Sequence, residues 1–189
     1  MNTSDVHALL PELSWIENAD LRDRCADVWL EALLAGGWDE KGVEACPIVV
    51  KGLNPVCAYN NLDHIRSVTK IAAAICDELT RGQGEAGQLD RDAVIAGALL
   101  HDVGNYLEVE IGPDGRAFHK PLATLVVHPA SGAFLLQKHG LPVEIVHIVL
   151  AHSDLFSPLG AQGCKTREAM IVKYADCLSF YHLHMHYGE

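Results

Sequence analysis

The sequence predicts an all-α fold: a bundle of helices with an N-terminal helical extension. Three observations carry that prediction. Apolar residues recur at three- and four-residue spacing along most of the chain, and no stretch alternates apolar and polar residues for the length of a strand. One run, AVIAGALL, is apolar nearly all round, as a helix in the middle of a core must be. A chain of 189 residues can bury a substantial core without disulfide or metal staples, and it carries neither an internal repeat nor a low-complexity segment.

The elements follow in order. Residues 14 to 35 place Trp15, Leu21, Cys25, Val28, Trp29 and Leu33 at helical spacing, with Ser14 as N-cap, Glu17 completing a capping box, and Gly36 and Gly37 as the stop. From Trp38 to Tyr59, Gly42, Pro47, Gly52 and Pro55 break the pattern, which implies a long connection holding at most a short helix. Asn60 or Asn61 then caps a helix from Leu62 to about Arg81, with Ile65, Val68, Ile71, Ala72 and Ile75 as its buried stripe. It ends in the solvated turn RGQGEAGQ.

Asp90 caps the AVIAGALL helix, which closes on His101 and Asp102. Residues 105 to 119 form a loop through a hairpin-like GPDG turn. A helix from about Ala123 or His128 to His139 stops at Gly140 and Pro142, another runs from Pro142 to His152, and SPLGAQG is a second loop. Thr166, with Ala169 three residues on, opens a last helix through Met170, Val172, Tyr174, Leu178 and Tyr181. The organisation expected is an extension over residues 1–61 packed on a helical domain over 62–189.

Chemistry concentrates where the apolar helices end. His101 and Asp102 close a fully apolar helix, where an imidazole and a carboxylate cost several kcal/mol unless something pairs with them. A metal ion is such a partner, and one adjacent pair cannot complete a coordination sphere. His64, His128, His152 and Asp176 stand at helix ends or on core helices, as ligands gathered between bundle helices require.

The strings DHIRSV, AGALLHDVGN, HPASGAFLL, IVLAHS and IVKYADCLS, in the order His, His-Asp, His, His, Asp, resemble the HD-domain superfamily of metal-dependent phosphohydrolases over about Leu62 to Leu178. HPASGAFLL resembles a segment of its dinuclear families. The resemblance implies that His64, His101, Asp102 and Asp176 hold one divalent metal, iron, manganese or similar, and that Asp102 bridges to a second held by His128 and His152. It further implies hydrolysis of a small phosphorylated or nucleotide-like substrate by a metal-bound hydroxide, with Asp102 as the catalytic carboxylate.

The match departs from the family at Asn105, where many HD phosphodiesterases carry a phosphate-touching lysine, and the GYP signature of cyclic-di-GMP phosphodiesterases is absent. Asn105, Lys120 and Arg66 are the candidate substrate contacts, with Arg116, Lys165 and Arg167 as further anion partners. A second reading follows from the same six ligands, which a smaller set of HD proteins uses for a mixed-valence di-iron oxygenase. A third is hydrolysis of a non-phosphate bond on the same platform. His7, His119, His139 and His147 read as structural, and His182, His184 and His186 as an exposed terminal helix.

The formal charge of -11 repels nucleic-acid polymers and anionic membranes, while bound cations would still admit a small phosphorylated substrate. No apolar run reaches the ~18 residues a membrane span needs. The six cysteines form no CxxC pair and no secretory leader opens the chain, so reduced thiols and a cytoplasmic location are expected. A homodimer is allowed, with the tryptophan-bearing N-terminal part and CPIVVKGLNPVCAYNN as lid or dimer surface.

Overall fold

The structure, a computed structural model, describes residues 1–48, 60–83, 88–153 and 163–187, with the side chains of 83, 183, 184, 186 and 187 excepted. The sequence expectations for Cys57, Tyr59, the His184 and His186 side chains and most of SPLGAQG lie outside these residues.

Nine α-helices and a two-stranded hairpin make up the described fold: α1 (Thr3–Leu9), α2 (Ala19–Gly36), α3 (Asn61–Gln83), α4 (Arg91–Leu100), α5 (Asn105–Glu108), β1 (Val109–Ile111), β2 (Ala117–His119), α6 (Pro121–Leu125), α7 (His128–Lys138), α8 (Val143–Ala151) and α9 (Arg167–Tyr187). The class is all-α, as the periodicity predicts. The GPDG turn closes an antiparallel pair with Val109 opposite His119, and no helix of the described residues is long and apolar enough to cross a membrane.

The centre of the bundle is α4. Every residue from Ala93 to Leu100 is buried, because the helix is wrapped by α3, α8 and α9 and has no side left for water. Gly97 makes the closest of these contacts possible: a Cβ there would stand 2.6 Å from Ile148 Cγ2. Asp90 caps α4 by accepting from the backbone N–H of Ala93 at 2.9 Å.

The N-terminal part differs from the sequence expectation at its start. The helix expected from Ser14 begins only at Ala19, capped by Asn18, whose Oδ1 accepts from Leu21 N. Pro11–Trp15 is instead a 3-10 turn. The reason is tertiary: the Asp92 carboxylate accepts from the backbone N–H groups of Glu17 and Asn18, both at 2.8 Å, which holds this segment extended. A short α1 precedes it, with a capping box between Asn2 and Asp5. Helix α2 lies on α4 and α5, and Trp29 and Trp38 pack edge-on against Tyr106. Their indole N–H groups donate to the carbonyls of Leu99 and Tyr106.

Of the cysteines, Cys25, Cys46 and Cys76 are buried free thiols. Burial pushes Cys25 up to about 12 and Cys46 above the range in which a thiolate forms.

Candidate metal centre

Two helices end in the same way. His101 follows α4 and His152 follows α8, and each turns its Nδ1 back onto the carbonyl three residues earlier, Ala98 and Val149, at 2.7 Å. A carbonyl can only accept, so Nδ1 carries the proton and the Nε2 of the neutral ring presents a lone pair. Because α4 and α8 pack together, the two rings meet with centroids 5.0 Å apart.

Asp102 lies between four imidazoles and splits its two oxygens between them. Oδ2 is 3.9 Å from His64 Nε2 and 3.7 Å from His101 Nε2. Oδ1 is 3.2 Å from His128 Nε2 and 3.4 Å from His152 Nε2. The first group gains a second carboxylate from α9: Asp176 Oδ1 is 3.0 Å from His64 Nε2 and 3.9 Å from His101 Nε2. The six residues read from the sequence therefore converge as two clusters sharing one carboxylate.

The turn after α4 makes this convergence possible. Gly104 stands against the start of α7, where a Cβ would lie 2.1 Å from the His128 carbonyl oxygen. Any side chain at Gly104 would drive His128 away from Asp102. Pro129 at the first turn of α7 is tolerated because its missing N–H has no partner within the helix.

Both clusters suit divalent metal ions. His101 Nε2 is buried with no hydrogen-bond partner among the described residues, an uncompensated lone pair of the kind a cation satisfies. His128 Nε2 and His152 Nε2 face one another at 3.2 Å, which without a proton between them sets lone pair against lone pair. In each cluster the donor atoms of His64, His101 and Asp102, or of Asp102, His128 and His152, lie within 4.8 Å of one another. Imidazole and carboxylate donors together match iron, manganese or zinc.

The electrostatics point the same way. Burial alone would lift Asp102, but the imidazoles of His101, His128 and His152 outweigh it and hold the carboxyl well below the usual range. Asp176 is likewise lifted by burial and pulled down further by His64 and His101. Burial pushes His101 down to about 4, so it is neutral at pH 7. For His152 burial acts downward too, but the hydrogen bond and charge of Asp102 raise it above its ordinary value.

Residues that the sequence reading did not single out support the clusters from behind. Ser179 Oγ lies 3.1 Å from His64 Nδ1 and so orients that ring; it sits one turn from Asp176 on the same side of α9, which is the signal that could have found it. Ser131 Oγ donates to Glu108 Oε1 at 2.6 Å and lies 3.2 Å from the His128 carbonyl. Burial pushes Glu108 up to about 7, and in its neutral form it donates to Ser131, freeing that hydroxyl for His128. One turn from His64 and from Asp102, the Asn61 amide and the Tyr106 hydroxyl are buried side by side, close enough for Asn61 to act on the hydroxyl.

The substrate contacts read from the sequence are placed less uniformly. Arg66 is turned to the other side of α3, where Nε donates to both carboxylate oxygens of the buried Glu12 at 3.1 Å. Lys120 donates to the Gly36 carbonyl at 2.7 Å, closing the end of α2. Asn105 opens α5 directly after the Asp102 turn, with its backbone N–H on the Asp102 carbonyl. Arg167 donates to the Gln88 carbonyl.

A family model described as HD domain matches residues 61–181. The dihydroneopterin 2',3'-cyclic phosphate phosphodiesterase of Methanocaldococcus jannaschii is 37% identical over 118 residues, 61% of this chain and 44% of that protein. The ribonuclease Y of Cutibacterium acnes is 29% identical over 161 residues, 84% of this chain and 25% of that protein. The ribonuclease Y of Thermosipho melanesiensis is 32% identical over 120 residues, 64% of this chain and 18% of that protein. The chain thus spans less than half the length of these relatives. No solved structure matches it.

Proposed function

The chain belongs to the HD domain family, and from that membership we propose that it is a metal-dependent phosphohydrolase of small phosphoesters, with two divalent ions held on either side of Asp102. One observation carries the reading: the two oxygens of a single buried carboxylate face two separate pairs of imidazoles. His64, His101, Asp102 and Asp176 would hold one ion, and Asp102, His128 and His152 the other.

Bound there, the ions would supply positive charge for the phosphoryl oxygens and lower the pKa of a water molecule. The chain's own residues do the rest. The carbonyls of Ala98 and Val149 hold His101 and His152 in the tautomer that offers Nε2. Ser179 fixes the ring of His64. The opening lies at His128 and Asp176, whose side chains are 14% and 17% exposed while His64, His101 and His152 are closed to solvent. Substrate would enter on that side.

The substrate class we favour is a small cyclic phosphodiester, in line with the Methanocaldococcus relative. The charge of -11 weighs against an RNA polymer. The test is a phosphate- and nucleotide-release panel with metal-loaded protein, including 2',3'-cyclic nucleotides and a single-stranded RNA. Turnover of the small cyclic esters is expected; cleavage of the RNA alone would reassign the substrate, and release from none would sink the hydrolase reading.

The oxygenase reading keeps one observation in its favour. Arg66 and Lys120, two cations assigned to phosphate, are bonded to Glu12 and the Gly36 carbonyl instead, and Asn105 brings no charge. Substrate-dependent O₂ uptake by iron-loaded protein would decide for it.

A further inference from the structure

Helix α9 is apolar on both sides. Its inner side carries Ala169, Val172, Ala175 and Ser179 into the bundle, together with Asp176. Its outer side should then be polar, yet it presents Met170, Tyr174, Leu178, Tyr181 and Met185, between 42% and 86% exposed. At ~100° per residue these five fall within an arc of about 80°. From Ala169 to His182 the only carboxylate is Asp176, turned inward, and the only ammonium is Lys173. Of the other exposed large apolar residues, Leu34, Phe134 and Val143 stand singly on different helices, as is ordinary, and Leu122 and Leu125 make a pair on the five-residue α6. A helix apolar all round belongs between two layers.

The stripe is also a palindrome. Read in either direction it runs Met, Tyr, Leu, Tyr, Met, with positions 170 and 185, and 174 and 181, equidistant from a centre beside Leu178. A two-fold axis sets residue i against j and j against i, so an antiparallel pairing of two such helices matches like with like along its whole length. The five side chains expose about 600–700 Å² per copy, so a pair would bury roughly 1,300 Å², within the range of specific interfaces.

We propose that two copies of the chain pair through α9 about a two-fold axis at Leu178, antiparallel, with Met170 against the partner's Met185 and Tyr174 against the partner's Tyr181. The five stripe residues carry no charge, so two chains of charge -11 can meet along them without setting carboxylate against carboxylate. It also covers the helix that presents Asp176, bracing that residue from the side opposite the cluster.

The test is light scattering of the whole chain from low to high micromolar concentration, with Leu178→Glu and Tyr174→Glu beside the wild type. A wild-type dimer is expected, and each variant should raise its dissociation constant about 100-fold or more while keeping helical circular dichroism and metal content. Should a variant lose its fold, cysteine cross-linking replaces it, with the wild type as baseline for Cys164 and Cys177. Under mild air oxidation Leu178→Cys should link to itself, and Met170→Cys should link to Met185→Cys in a mixture but not to itself. A wild type that stays monomeric, a dimer that Leu178→Glu leaves intact, or self-linking by Met170→Cys would each overturn the proposal.

Discussion

The two clusters around Asp102 are built to different degrees of closure. The first takes His64 from α3, His101 from the end of α4 and Asp176 from α9, so three core helices fix it and it owns a carboxylate besides the shared one. The second owns only two imidazoles, His152 at the end of α8 and His128 at the start of α7, and His128 borders the solvent. More protein donors mean tighter binding, whereas open coordination positions mean access for water and substrate. Were both clusters filled, the first, with its additional carboxylate, would hold its ion more tightly and the second would leave more coordination positions open.

The largest effect should come from the residue that both clusters share. Asp102→Ala is expected to abolish binding of both ions, measured by elemental analysis, and to lower turnover by more than about 1,000-fold. Retention of either ion at wild-type affinity would break the bridging assignment. Next in size, His152→Ala should lose the second ion and keep the first, with turnover falling about 100-fold. Loss of both ions together would show that the clusters are a single unit.

The protons sharpen the same contrast. His101, held near 4 by burial, is neutral at pH 7 and gives up nothing when an ion arrives. His152 is raised above its ordinary value, because Asp102 outweighs its burial, so as the pH falls its Nε2 takes up a proton that an ion must displace. Affinity for the second ion should fall as pH drops through the His152 value, while affinity for the first is not weakened by His101 until near pH 4. Titration calorimetry in buffers of different ionisation enthalpy reads this as greater proton release for the second ion; equal release would remove the distinction. The smallest effect is expected from Ser179→Ala, which frees His64 to rotate and should weaken the first ion about tenfold, read by competition with a metal chelator.

The convergence of six residues was legible in the sequence because each stands at the end of an apolar helix or on the inner face of one. Their supports were not. Ser131 and Glu108 act through contacts between separate elements, and nothing in local spacing separates them from ordinary polar residues; only Ser179, one turn from Asp176 on the same side of α9, left a trace in the spacing. The same limit explains Arg66 and Lys120: a cation near a motif reads as an anion contact until the fold shows Glu12 and the Gly36 carbonyl beside it. It also explains the start of α2, where Ser14 and Glu17 form a sound capping box on paper and Asp92, seventy-odd residues away, holds the backbone extended instead. The apolar pattern of α9 was readable as a helix, but that it covers both sides emerges only once its inner face is known.

The most direct test of the central claim is the number of divalent ions bound per chain at saturation, counted by elemental analysis after loading and removal of free metal. The geometry around Asp102 predicts two. A saturated wild-type chain that holds one ion or none would contradict it.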